Sequence, residues 1–190
     1  MERTADYAIE EIFLRRWSPR AMNGEAVSEE HLMRLFEAAR WAPSSGNGQP
    51  WRYLFARAGT GFFPVFFDLL LDGNKSWCIR AGALIVALSR TVFENGRPEP
   101  THSFDAGAAW MSLALQASAM GLVAHGMQGF DYERARLELG VPDDHSVEAM
   151  IAIGYPGRVG ELAEKDRLRE MPSGRKPVKE LIFEGKFASR

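Results

Sequence analysis

The chain has 190 residues, 46% of them hydrophobic and 25% charged, with a formal net charge of −2. That length suits one well-buried core and is short for two, and the composition excludes a wholly disordered chain. The slight negative charge argues against a general nucleic-acid binder, and the absence of any 18-residue uncharged apolar run argues against a membrane span.

In chain order, Ile9, Ile12, Phe13 and Trp17 recur at helical spacing and predict a first helix over residues 5–17. Ser18-Pro19 ends it, because the residue before a proline avoids the α region. Ser28 is the expected N-cap of a second helix, with Glu29 and Glu30 suited to its positive start and Leu32, Leu35, Phe36 and Ala39 along one face. That helix runs to Trp41-Ala42-Pro43. A polar loop, Ser44-Ser45-Gly46-Asn47-Gly48-Gln49-Pro50, leads into a strand over 51–58. A short apolar helix is expected over 62–71, and Ala83–Leu88 is a continuous apolar run consistent with a strand buried on both faces. Residues 94–100 read as a loop. The longest helix is expected over 104–120; it is apolar almost all round, as a core helix or an oligomer interface would be, and Gly121 caps it. A strand over 123–127, a helix over 132–139 and a strand over 147–153 follow. From Pro156 the chain is polar and loop-rich as far as 178–183. Helices and strands intermix without a regular βαβ repeat, so the fold class is α+β, in one domain spanning 1–190.

Residues 158–190 hold nine Lys or Arg against six Asp or Glu, a basic tail on an acidic body. The single Cys78 excludes an internal disulfide. The N-terminus lacks the basic-then-apolar pattern of a signal peptide, and together these predict a cytoplasmic protein.

The four histidines, His31, His102, His125 and His145, are scattered, and none stands at metal-ligand spacing from another or from the cysteine. Nucleophile-elbow and P-loop motifs are absent. The glycines of Gly154-Tyr155-Pro156-Gly157-Arg158-Val159-Gly160 are not followed by a convincing helix, so a dinucleotide-binding Rossmann turn is not expected. Two segments carry chemistry. The Ser44–Pro50 loop packs neutral donors and acceptors between two prolines and two tryptophans; it reads equally as an elaborate turn or as a cradle for a planar heterocycle. Arg15-Arg16-Trp17-Ser18-Pro19-Arg20 clusters three arginines and a serine, which can hold a phosphate or simply face solvent.

Taken in order, these pieces resemble the nitroreductase family of FMN proteins. The resemblance rests on Arg16-Trp17-Ser18-Pro19-Arg20, Ala38-Ala39-Arg40-Trp41-Ala42-Pro43, the Ser44–Trp51 loop, Asp105-Ala106-Gly107-Ala108-Ala109, His125-Gly126-Met127-Gln128-Gly129-Phe130-Asp131, Ile151–Pro156 and Gly174-Arg175-Lys176-Pro177. It spans roughly residues 9–183. It implies a three-layer sandwich with a central mixed, mainly antiparallel sheet flanked by helices. It also implies a homodimer with FMN sites at the subunit interface, and a cofactor-binding set. Arg16, Ser18 and Arg20 would contact the FMN phosphate or pyrimidine edge. Ser44, Ser45, Asn47 and Gln49 would line the ring, some of them from the partner subunit. Gly126, Met127, Gln128 and Gly129 would bring backbone groups to its redox edge, and Arg175 with Lys176 would hold the phosphate. Trp17, Pro43 and His125 complete the set. Trp17 stands where a small or polar residue is common, which places the chain in a Trp-Ser-Pro-Arg subgroup, and Met22 replaces a frequent aromatic. The implied activity is reduction of a small organic acceptor, of nitroaromatic or quinone type, by NADH or NADPH through ping-pong hydride transfer. The cofactor carries that chemistry, so no catalytic acid–base residue and no metal are assigned. Other flavin chemistry, such as a dehydrogenase or an enzyme that modifies the flavin itself, and a non-catalytic FMN-binding or sensor role are the alternatives.

Overall fold

The structure is a computed structural model in which residues 3–187 are described. Four strands form one sheet in the order β1-β2-β4-β3: β1 (Trp51–Arg57), β2 (Ala83–Arg90), β3 (Val123–Met127) and β4 (His145–Gly154). All three pairings are antiparallel. The expected strands are therefore present, and the sheet is antiparallel throughout the described residues.

The side-chain period of two sorts each strand between two cores. On β2, Leu84, Val86 and Leu88 face one core while Ala83, Ile85 and Ala87 face the other. On β4, Met150 and Ala152 are set against Ile151 and Ile153 in the same way. Helices α3 (Phe63–Asp68), α4 (Asp72–Cys78) and α6 (Tyr132–Glu138) contribute Phe66, Trp77, Cys78 and Ala135 to the first core. Helices α2 (Glu29–Arg40) and α5 (His102–Ala119) contribute Leu32, Leu35, Ala39, Ala109, Leu113 and Ala117 to the second. The result is the three-layer α+β sandwich.

Local chemistry agrees with most of these boundaries. Ser28 Oγ accepts from the His31 amide at 3.1 Å, which caps α2, and Gly121 takes the left-handed conformation (φ 71°) beyond α5. Two expectations are corrected. The first helix, α1, covers only Glu11–Arg15 rather than 5–17. Ile9 and Phe13 are exposed, so the apolar face that would hold a longer helix is not buried. The chain before α1 is instead tied to the far end of the sequence: Asp6 accepts from the Val178 amide at 2.8 Å. The expected helix over 62–71 ends at Asp68, and α4 follows it, burying Trp77 and Cys78.

Helix α5 is apolar, as expected, but not buried on every side. Ala109, Leu113 and Ala117 face the core, whereas Phe104 (79% exposed), Gly107 and Met111 (36%) form an uncovered stripe. A core helix with one exposed apolar stripe has a face for another surface.

Leu113 is wholly buried between α5 and the sheet. Leu113→Ala is expected to destabilise the fold by about 2–5 kcal/mol in chemical denaturation, whereas Leu137→Ala, at an exposed position, should change stability by roughly 0.5 kcal/mol or less.

Candidate functional site

The segment between α1 and Met22 is extended, and its side chains alternate. Arg16 and Ser18 open into one groove, of about 530 Å³, with Trp110, Met111 and Ala114 of α5, Ala149 of β4, and Gly126, Met127 and Gln128. Trp17 and Pro19 face the opposite way and line a second groove with Arg15, Ser118 and Glu170. The structure thus brings Arg16, Ser18, Gly126, Met127 and Gln128 together and sets Trp17 apart from them.

Several contacts fix that segment. His125, on β3, donates from Nδ1 to the Pro19 carbonyl at 2.9 Å, and its ring lies 4.6 Å from that of Trp77. Burial holds the His125 imidazole below its ordinary pKa. It is a bonded, packed histidine that clamps the segment to the sheet. The Glu170 carboxylate accepts from the backbone amides of Arg20 and Ala21 at 2.8 Å each. The Arg20 guanidinium lies 3.8 Å from Glu170, so its charge is matched within the chain. Beyond, Met22 bridges to Pro156. At the end of β3, Gly126 allows the Trp110 ring to close on the backbone; a Cβ there would lie 3.1 Å from it. Asn74 of α4 donates to the Gly129 carbonyl at 3.0 Å and sets the turn that follows. Its part in the site carries no sequence signal beyond its residue type.

Next to Arg16, positive charge accumulates without an acidic partner. Arg16 Nη1 lies 3.5 Å from Ser18 Oγ, and its Nε is buried without a partner. Arg3 donates to the carbonyls of Leu14 (2.9 Å), Arg16 (2.7 Å) and Ser173 (3.0 Å). Arg175 donates to Ser173 Oγ at 3.1 Å. Burial, and then the neighbouring guanidiniums, pull the Arg16 pKa down from its ordinary value; Arg3 is lowered in the same way by burial and by Arg175. Among the described residues no carboxylate pairs with Arg3, Arg16 or Arg175. A cluster of guanidiniums, half-buried at Arg3 and Arg16 and exposed at Arg175, with an orphaned Arg16 Nε fits a dianionic phosphate. Lys176 is exposed alongside. Arg3 was not among the expected residues; it reaches the cluster only because residues 3 and 173 meet in space.

The Ser44–Gln49 loop is built differently. A 3₁₀ turn (Ser45–Asn47) follows Ser44, whose Oγ accepts from the Gln49 amide at 3.0 Å. Gly46, Asn47 and Gln49 all lie in the left-handed region, at φ 53°, 57° and 47°. Two of these are not glycine, so the loop holds backbone strain on the surface. Its support comes from below. Asp105, in the first turn of α5, accepts from the Ser45 amide at 3.0 Å. Glu99, only 1% exposed, lies against Gly48, where a Cβ would sit 2.6 Å from Oε1. Burial, followed by the nearby Asp105, raises the Glu99 pKa. Pro43 is exposed, as are the residues from Ser45 to Gln49.

The two groups do not share a groove within the chain. The loop precedes β1 and the Gly126–Gly129 segment is the end of β3 and the turn after it, and these are the two edges of the sheet. Three strand spacings separate them, roughly 14 Å. Among the described residues, no cluster of three or more His, Cys, Asp or Glu side chains could hold a metal ion, and no helix is long and apolar enough to cross a membrane.

Comparison with known proteins matches residues 14–61 and 65–155 to the sequence model of the nitroreductase family. An NADH dehydrogenase of Thermus thermophilus is 29% identical over 200 residues, covering 90% of this chain and 92% of that protein. A crystal structure of an oxidoreductase containing FMN superposes with a TM-score of 0.95 at 42% identity, covering 99% and 97% of the two chains. An FMN-dependent nitroreductase of Clostridium difficile R20291 superposes at 0.64, with 25% identity and 76% and 85% coverage.

The lowered pKa of His125 carries a sign. The folded state resists protonating it, so the unfolded chain takes up the proton first. Its contribution is full above the ordinary histidine value, about 6.5, and is lost as pH falls below it. Stability measured by denaturant titration is expected to drop between roughly pH 7 and 5, and His125→Gln should flatten that part of the profile.

Proposed function

The chain belongs to the nitroreductase family, and we propose that it is an FMN-dependent NAD(P)H oxidoreductase that reduces a small organic acceptor of nitroaromatic or quinone type. The observation that carries this reading is the unneutralised cluster of Arg3, Arg16 and Arg175, beside a groove that ends on the Gly126–Gln128 backbone. The flavin, when bound, supplies hydride transfer between nicotinamide and acceptor. The chain's own groups do the holding. Arg16, Arg3 and Arg175 take the phosphate with Ser18, Lys176 adds charge, and the backbone of Gly126–Gly129 meets the ring. His125 positions Pro19, and Arg20 keeps Glu170 on the segment. Nicotinamide and acceptor occupy one place in turn, which gives ping-pong kinetics.

The whole of residues 1–190 serves as one flavin-binding domain in a cytoplasmic homodimer. Ser44, Ser45, Asn47 and Gln49, with Pro43, line the ring of the partner's flavin. Two findings support this: the separation of the two grooves in one protomer, and the exposed stripe of Phe104, Gly107 and Met111 on α5.

The purified protein is expected to carry FMN in its absorbance spectrum and to be reduced anaerobically by NADH or NADPH. Arg16→Ala should weaken FMN binding about 10- to 100-fold, read by fluorescence titration of the apoprotein, with Arg16→Lys intermediate. Tight FMN that neither nucleotide reduces would favour a sensor or a different flavin chemistry; a protein that cannot be loaded with FMN would refute the reading.

Sedimentation is expected to give a dimer at micromolar concentration. Phe104→Asp, which puts a charge on the apolar stripe, should shift it toward monomer.

A further inference from the structure

The Ser44–Gln49 loop has neighbours that the flavin leaves unused. A groove of about 960 Å³ lies against it, lined also by Arg52, Arg90, Arg97, Phe93 and Glu94. Arg90 is balanced by Asp144, with Nε 3.1 Å from Oδ2. Arg52 donates only to backbone carbonyls, those of Gln49 at 2.9 Å and Trp51 at 2.8 Å. The Arg97 guanidinium lies 5.8 Å from the Phe93 ring centroid. Among the described residues, neither Arg52 nor Arg97 pairs with a carboxylate, both are exposed, and Glu94 on the lining offsets only one of them. On the groove lining one guanidinium is therefore left without a carboxylate to offset it, above the buried Glu99 and Asp105. Guanidinium forks held by a carbonyl or a ring are suited to phosphate oxygens.

We infer that this groove binds the phosphate groups of the nicotinamide dinucleotide, with Arg52 and Arg97 as its anchors. The inference rests on the proposed function, which lays the Ser44–Gln49 loop over the ring and makes NAD(P)H the reductant. Of the two molecules that meet the ring, only the reductant is a phosphoanion; a nitroaromatic or quinone offers a guanidinium no dianion. A nucleotide with its nicotinamide under the loop trails its pyrophosphate, and in NADPH a further 2′-phosphate, away from the ring. Arg52, held to the carbonyl of Gln49, is at the start of that path, and Arg97 is on the same wall. This anion site is separate from the one formed by Arg3, Arg16 and Arg175, which borders the other groove through Arg16.

The test uses the FMN-loaded protein in steady-state turnover of NADH and NADPH with a quinone, and calorimetric binding of adenosine 2′,5′-bisphosphate. The double variant Arg52→Ala, Arg97→Ala is expected to raise the nucleotide KM about tenfold or more, with the effect on KM rather than kcat, and to weaken the bisphosphate by a similar factor. FMN content and the quinone KM should stay the same. An increase shared by NADH and NADPH assigns the pyrophosphate to the groove; one confined to NADPH assigns the 2′-phosphate. Arg34→Ala, an exposed charge on α2, controls for net charge. Should the double variant lose FMN, the single Arg97→Gln variant carries the same comparison. Unchanged KM for both nucleotides in an FMN-loaded variant overturns this inference alone. A wild-type holoprotein that neither nucleotide reduces overturns the proposed function and this inference with it.

Discussion

Burial of β2 on both faces determines where the rest of the molecule can go. Seven of its eight residues are inaccessible, and alternate ones belong to different cores. Such a strand is stable only inside a sheet that carries helices on each side. With β2 and β4 in the middle, β1 and β3 become the edges. The candidate site segments, the Ser44–Gln49 loop before β1 and Gly126–Gly129 at the end of β3, are attached to those edges. Core packing and the division of the site between two grooves are thus one constraint seen twice.

The interior was largely legible in the sequence, because burial writes a period into it. The apolar run Ala83–Leu88, the periodic face of α2 and the Ala-rich α5 all sit where hydrophobic spacing puts them. What was not legible depends on contacts distant in sequence. Helix α4 reads DGNKSWC, with a glycine and little apolar period, and forms because Trp77 and Cys78 fill a core made by other elements. The first helix is cut short because Arg3 and Asp6 bond to residues more than 160 positions away. The same distance hid Arg3 from the site. The side chains of Arg16 and Trp17 point to opposite grooves because the backbone there is extended, a fact that residue types alone do not carry.

Charge is handled in two opposite ways around the site. Beneath the Ser44–Gln49 loop, buried acids serve structure: Asp105 accepts from Ser45, and Glu99 is kept toward its neutral form by burial and by Asp105. At Arg3, Arg16 and Arg175, half-buried and exposed cations repel one another, and no carboxylate among the described residues pairs with them. The first arrangement is satisfied within the chain at Asp105 and leaves Glu99 Oε1 buried without a partner. The second is left uncompensated within the chain, and under the proposed function a bound phosphate would relieve it, coupling ligand binding to folding there.

The cluster joins the third residue of the chain to the 173rd and 175th. During synthesis the amino-terminal residues emerge before the carboxy-terminal ones. Arg3 and Arg16 then wait, unpaired, for the tail that brings Ser173 and Arg175. Completion of the cluster is therefore a late event in folding. A truncated product ending before residue 173 would hold most of the hydrophobic core and lack the Ser173 and Arg175 members of the cluster.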